Sequence, residues 1–452
     1  MQFEKVLIAN RGEIAVRVIR ACREMGLQTV LAYSEADSQS LPVQLADEAI
    51  CIGPATARSS YLNIPAIISA ALISGAQAIH PGYGFLSESA DFAEVCREHG
   101  LVFIGPPPEV LAQYHDKAAT RALMRTYGLP LVPGSDGPVR TASEALRVAE
   151  AIGYPVMIKA KAGGGGRGMR KAASMNELQR LFEQARAEAG ASFGDDGLYL
   201  ERCLESVRHV EAQVLVDSSG NGICLGEREC SIQRRNQKMI EEAPSASISE
   251  ALRQRIEDLA VGAAVRSGYR NVGTFEFLVD RDGEVYFIEV NARIQVEHTV
   301  TEAVTGVDLI KEQISLAMGK PLSFSREQIW VQGHAIECRI NAEDSTRNFA
   351  PSTGVLEQFQ IPGGPGIRVD THCFQGYEVP PYYDSLLAKV IASGRDRGEA
   401  VARMQRALDE FHIAGVTTNI PAHRKILGSD LFVAGQVTTH LIDTVGIDAL
   451  AG

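Results

Sequence analysis

The chain has 452 residues, 45% of them apolar, too many for one hydrophobic core, so two to four domains are expected. A formal net charge of -12 argues against a nucleic-acid backbone or an anionic membrane as main partner, while leaving room for local basic pockets. No basic segment leads into an apolar stretch at the start, no apolar run reaches the roughly 18 residues of a membrane span, and the eight cysteines show no CxxC spacing; the reading is a cytoplasmic protein with reduced thiols.

Val6 to Ala9 reads as a buried strand and Asn10-Arg11-Gly12 as a turn. Ile14, Ala15, Val18, Ile19 and Cys22 then follow helical spacing, with Gly26 as C-cap, and Thr29 to Tyr33 is the next strand. This strand–helix–strand opening predicts a parallel α/β domain over residues 1–115, which includes the loop His80-Pro81-Gly82-Tyr83-Gly84-Phe85.

A second region, 116–330, holds the run Gly163-Gly164-Gly165-Gly166-Arg167-Gly168. It satisfies GxGxxG, but a dinucleotide fingerprint needs a helix starting at the glycines. Here the helix signal comes later, in the capping box Ser174-Met175-Asn176-Glu177. Met169 to Ala173 is therefore expected as a strand antiparallel to Tyr154–Ala160. No Gly-Lys-Ser/Thr follows, which excludes a Walker loop. Two readings remain: a glycine hairpin whose amides close over phosphates, with the Lys159 ammonium beside it, or a surface hairpin without a ligand.

Further on, Thr274–Val279 and Val285–Asn291 flank Asp282-Gly283, a strong hairpin turn. A two-residue loop would set Glu276 opposite Glu289, with Asn291 two residues on along the same face. Opposed like charges cost roughly 0.2–1 kcal/mol, and a hard cation between them reverses that sign. The alternative is a pair of solvated glutamates on an exposed face. Arg293 suits a planar oxyanion and Glu297 suits a proton acceptor. His298 reads as a packing histidine. Arg234, Arg235 and Lys238 form a basic cluster, and Arg339 either reaches the same site or pairs with an acid.

The third region, 331–452, contains Pro362-Gly363-Gly364-Pro365-Gly366 and Pro380-Pro381-Tyr382-Tyr383-Asp384, then helical spacing from Ala400 to Phe411.

Taken together, Ala9–Ala15, His80–Glu88, Gly163–Met169, Ile294–His298 and Pro380–Ser385 resemble the corresponding strings of biotin carboxylases, ATP-grasp enzymes, over essentially the whole chain. The resemblance implies an α/β fold: an N-terminal Rossmann-like domain, a central ATP-grasp domain with a mobile glycine-rich lid over about 131–204, and a mixed C-terminal domain. It implies that ATP converts bicarbonate to carboxyphosphate, and that the CO₂ released carboxylates N1 of biotin. For ATP it implies Lys117, Lys159, Gly165, Gly166, the segment Glu201-Arg202-Cys203-Leu204, His209, Asn236, Glu276 and Glu289. Glu276, Glu289 and Asn291 are the implied ligands of Mg²⁺ or Mn²⁺, two ions in all. Lys238, Arg293, Gln295 and Val296 are implied for bicarbonate, Glu297 as the base, and Arg339 with Tyr83 for biotin.

The resemblance further implies a homodimer and a partner carboxyltransferase, most simply of the acetyl-CoA carboxylase type. No Met-Lys-Met occurs, so biotin is expected on a separate carrier chain. The sequence departs from the family pattern at His115, Lys161-Ala162, Asn236, Ala292 and Thr299. Competing expectations are a weakened nucleotide-binding paralogue with a regulatory role and a carboxylate–amine ligase of the ATP-grasp class.

Overall fold

The computed structural model describes residues 2–160, 169–193 and 195–450, leaving aside the side chains of residues 117, 118, 192, 193 and 448. The chain opens with strand β1 (Lys5–Ile8), helix α1 (Gly12–Glu24) and strand β2 (Gln28–Tyr33). α1 buries Ile14, Ala15, Val18, Ile19 and Cys22, the set the helical spacing selects. Gly26 follows at φ +75°, the left-handed position that lets the chain leave the helix. With β3 (Glu48–Cys51), β4 (Ala78–His80) and β5 (Val102–Phe103), these strands form a five-stranded sheet, order β3-β2-β1-β4-β5. Every pairing in it is parallel. The turns after β1 and β4 lie together at its carboxyl edge, where open α/β sheets place their ligands. There the Asn10 amide donates to Pro81 O (2.7 Å) and Tyr83 O (2.8 Å), fixing the loop that carries Tyr83.

Strands β6 (Val156–Ala160), β7 (Met169–Ala172) and β8 (Leu198–Arg202) form a small antiparallel sheet, order β7-β6-β8. The strand pair around the glycine run forms as its sequence suggests. The helix that follows spans Met175–Phe193, with Glu177 folded back onto the Ala173 amide. Helices Ala142–Ile152 and Met175–Phe193 cover one face of this sheet around a core that includes Phe182, Ile158 and Leu200.

The largest layer is an eight-stranded antiparallel sheet. It contains β9 (Arg208–Val216), β10 (Gly222–Arg234), β11 (Gln237–Ala243), β12 (Asn271–Val279), β13 (Val285–Asn291) and β14 (His334–Asn341). The order is β13-β12-β9-β10-β11-β14, continued by strands Leu386–Gly394 and Ile367–Thr371. One sheet therefore runs across the change of region near residue 330.

The β12–β13 hairpin corrects one expectation. Its loop is Arg281-Asp282-Gly283, three residues, closed by Gly283 N–H to Asp280 O and by Asp280 N–H to Glu284 O. Gly283 sits at φ +81°, as the αL position of such a loop requires. Alone, that loop would displace the expected register by one residue. A bulge compensates: Phe277 pairs with Phe287, Glu276 with Glu289, and Ile288 is left over between them. Glu276 thus faces Glu289 after all, by a different route.

Candidate active site

Cross-strand pairing lines up a row of charge across β13, β12, β9 and β10. Glu289 pairs with Glu276, Glu276 with Glu211, and Glu211 with Arg228, so their side chains share one face. Three adjacent carboxylates would repel one another. The Lys238 ammonium on β11 answers this charge: it lies 2.5 Å from Glu211, 2.9 Å from Glu276 and 2.6 Å from Glu297. Burial alone would lower the lysine pKa, but these carboxylates raise it well above its usual value.

Arg228 is fully buried and holds the row from beneath. It donates to Glu211 (2.6 Å), Gln213 (2.7 Å), Thr301 (3.0 Å), Thr274 (3.2 Å) and Gln295 (2.6 Å). Gln295 in turn donates to Glu276 Oε1 at 2.7 Å. His209 Nε2 stands 2.8 Å from Glu276 Oε2. Burial pushes the Glu276 carboxyl up, but Lys238 and His209 outweigh it and hold the group well below the usual carboxylate range.

Glu297 precedes the helix His298–Thr305 at its N-cap position, without a side-chain capping bond, and receives two cations. Lys238 donates to Oε1 at 2.6 Å and Arg339 to Oε2 at 2.9 Å. Burial opposes ionisation, yet Lys238, Arg339 and Arg228 together keep Glu297 a carboxylate well below its ordinary pKa. Arg339 also donates to Glu241 at 2.6 Å. Burial lifts Glu241 to about 7 against the pull of Arg339. Arg293 reaches Glu88 at 3.0 Å and Asn291 Oδ1 at 2.7 Å.

His209, Lys238, Glu276, Asn291, Arg293, Gln295, Glu297 and Arg339 line a cavity of about 790 Å³ between the small sheet and the large one. At the far end Lys159 pairs with Glu201, and Arg121 reaches the same carboxylate at 2.6 Å. Apolar side chains, Met157, Met169, Leu204, Leu278 and Ile288, line the wall there. A flat apolar slot, cations beside it and a carboxylate pair further in suit a nucleotide and its phosphates.

Of the residues singled out from sequence, Tyr83, Lys159, Glu201, Arg202, Cys203, Leu204, His209, Asn236 and Lys238 line this cavity. So do Glu276, Glu289, Asn291, Arg293, Gln295, Val296, Glu297 and Arg339. Gly165, Gly166 and the Lys117 side chain lie outside the described residues. His298 is buried beneath the site, its Nδ1 2.8 Å from Gln295 O, as a packing histidine would be. Of the basic cluster, Lys238 enters the centre, whereas Arg234 and Arg235 turn to the rim and Asn348.

Sequence reasoning did not single out Glu88, Arg121, Glu211, Arg228 or Glu241. Glu211 had a local signal: His209, Glu211 and Gln213 alternate with apolar residues along β9. Arg228 and Glu241 become visible only once the strands are in register, and Glu88 and Arg121 only once a loop and a strand far along the chain are packed against them.

Glu276 and Glu289 face each other beside the Asn291 amide, a donor set suited to Mg²⁺. Asn291 now turns its nitrogen to Glu276, at 2.8 Å; rotating the amide would present its oxygen. The residues fit the ion. Tighter triads, His209-Glu211-Glu276 and Glu211-Cys230-Glu297, also lie in this cluster, but Lys238 already supplies their positive charge.

A cavity clamped between a small antiparallel sheet and a large one, lysine at one end and opposed glutamates within, defines the ATP-grasp class of ligases. The N-terminal domain of biotin carboxylase matches residues 2–111, the ATP-binding domain of the carbamoyl-phosphate synthase L chain 116–325, and the biotin carboxylase C-terminal domain 337–444. A biotin carboxylase of Nostoc sp. is 54% identical over 442 residues, 98% of this chain and 99% of that protein. Biotin carboxylase 1 of Bacillus subtilis is 52% identical over 445 residues, 98% and 99% of the two chains. Among solved structures, the biotin carboxylase domain dimer of Hydrogenobacter thermophilus 2-oxoglutarate carboxylase, in complex with MgADP, ADP and bicarbonate, has a TM-score of 0.94 at 50% identity, covering 98% of each chain. A biotin carboxylase from Campylobacter jejuni has a TM-score of 0.95 at 46% identity, covering 98% and 99%. The chain belongs to the biotin carboxylase family.

Proposed function

We propose that this cavity carries out the ATP-dependent carboxylation of biotin. The observation that carries the reading is Glu297, held ionised between Lys238 and Arg339 in the cavity that also contains Lys159 and the Glu276–Glu289 pair. Bicarbonate is held by Lys238, Arg293, Gln295 and the Val296 backbone. Glu297 takes its proton, and the bicarbonate oxygen attacks the γ-phosphorus as the bond to ADP breaks. Bound at Glu276, Glu289 and Asn291, Mg²⁺ or Mn²⁺ supplies positive charge to the phosphate oxygens. Lys117, Lys159 and the amides of Gly165 and Gly166 supply more, and phosphoryl transfer needs such charge above all.

The two cations keep Glu297 in the form a base must have, but they weaken its hold on a proton. Bicarbonate entering beside Lys238 competes for that ammonium and restores basicity as the substrate arrives. Carboxyphosphate then splits into CO₂ and phosphate, the bridging oxygen staying on phosphorus. Arg339 stabilises the ureido oxygen of biotin as N1 passes its proton to the phosphate just released and attacks CO₂, with Tyr83 beside the same subsite. Glu201, Arg202, Cys203, Leu204, His209 and Asn236 hold the base and sugar of the nucleotide.

Biotin arrives on a carrier chain, and a carboxyltransferase of the acetyl-CoA carboxylase type consumes the product. The active form is a homodimer in the cytoplasm, supported by the dimer named for the H. thermophilus relative. Among the described residues no helix is long and apolar enough to cross a membrane. The direct assay is bicarbonate-dependent ATP hydrolysis with and without free biotin. Stimulation by biotin is expected; nucleotide binding without stimulation would favour a regulatory paralogue. Purification of the tagged chain from its native cells is expected to bring down the carrier and the carboxyltransferase.

A further inference from the structure

Behind the cavity, one buried ammonium joins three distant parts of the chain. Lys389 is inaccessible to solvent, lies 3.0 Å from Glu13 Oε1, and donates to Val296 O at 2.9 Å. Glu13, equally buried in the first turn of α1, accepts a short hydrogen bond from the Tyr83 hydroxyl. Tyr83 and Val296 both line the cavity. The chain of contacts therefore runs Tyr83–Glu13–Lys389–Val296, from one wall to the loop that carries Glu297.

Register adds to this. Lys389 is the cross-strand partner of Arg339 on one side and of Asp370 on the other. Glu241 pairs with Glu337, two residues from Arg339 on β14. Their side chains form one charged face directly under the site. A buried ion pair is weak evidence for stability, because apolar residues of similar volume hold a fold as well. An ammonium, however, aims separate hydrogen bonds in fixed directions, which an apolar side chain cannot do.

We propose that Lys389 and Glu13 are positioning residues that hold the Tyr83 phenol and the Val296 carbonyl in one alignment, and so set the biotin subsite against the bicarbonate subsite. This rests on the function proposed above.

Glu13→Gln tests it. The change is isosteric, and Lys389 keeps the nearby charges of Glu337 and Asp370, so the fold is retained. The variant is expected to raise KM for free biotin about tenfold, while biotin-independent, bicarbonate-dependent ATP cleavage and MgADP affinity stay within about threefold. Adding it to Tyr83→Phe is expected to change KM for biotin less than about twofold further, because both act on one contact. Lys389→Met, which also frees Val296, is expected to raise KM for bicarbonate as well as for biotin. A wild-type KM for biotin in Glu13→Gln, equal losses toward every substrate, or full additivity with Tyr83→Phe would overturn the proposal. A wild-type protein lacking bicarbonate-dependent, biotin-stimulated ATP cleavage would instead sink the reading of the site itself, and the proposal with it.

Discussion

Glu297 carries two opposite requirements. It must stay ionised in a buried site, and it must still accept a proton. Lys238 and Arg339 meet the first by direct contact. Glu297→Gln keeps the shape and removes the charge, so kcat is expected to fall by roughly 10²–10⁴, with MgATP binding, read by calorimetry, nearly unchanged; wild-type turnover would refute the assignment. Arg339→Ala is expected to reduce biotin carboxylation more than bicarbonate-dependent ATP cleavage, checked by assaying carboxybiotin and phosphate in the same reaction. Equal losses would remove Arg339 from the biotin subsite.

Three of the departures from the family pattern acquire local explanations at this scale. Arg235 and Asn236 form the two-residue β10–β11 turn at φ 50° and 63°, a backbone that asparagine tolerates well. Ala292 contributes its amide, 3.0 Å from Glu88, so its side chain is not called upon. Thr299 gives a hydroxyl to the buried Glu337, a contact that proline at this position cannot make.

Among the elements, the β12–β13 hairpin does most to place the carboxylates proposed to bind the metal. Its three-residue loop and the bulge at Ile288 displace the register in opposite senses, and Glu276 meets Glu289 only because both are present. Deleting Ile288 is expected to remove the bulge and leave Glu289 opposite Glu276 on the same face, since Glu289 then follows Phe287 directly in the ladder. Mg²⁺-dependent ADP binding should then stay within about threefold, whereas Glu289→Gln, which removes one of the two opposed charges, should weaken it by at least about tenfold with little change in metal-free ADP binding; titration with and without Mg²⁺ measures both.

The same hairpin marks what was legible in the sequence. Asp-Gly announced a turn and the flanking alternation announced strands, so the pairing partners were readable. The bulge was not, because Ile288 is apolar like its neighbours and carries no mark of being unpaired. Glu211 and Arg228 escaped for another reason: their place beside Glu276 depends on β9 pairing with β12, far along the chain. The glycine hairpin was readable because its signals, a strand, the glycines and a capping box, are all local.

Across the whole molecule, the large sheet is continuous from β13 to Ile367–Thr371, so one rigid layer carries the carboxylate row and the Arg339–Lys389 pair. Its surroundings bury several neutral histidines. Burial holds His80 and His372 at about 3 and His423 at about 4, against 6.5 for an exposed histidine. Their folded values lie below the unfolded one, so the unfolded chain binds protons first as pH falls. The stability they contribute is complete above about pH 6.5 and is lost progressively towards pH 3–4. The urea midpoint is expected to fall steadily over that window and less steeply in His423→Gln; equal slopes would contradict the account.

In the proposed reaction, bicarbonate itself attacks the phosphorus of ATP in this cavity. ¹⁸O-labelled bicarbonate tests it most directly, with mass analysis of the phosphate released during biotin-stimulated turnover. One ¹⁸O atom is expected in each phosphate, carried over from bicarbonate. Phosphate free of label, its new oxygen drawn from water, would contradict it.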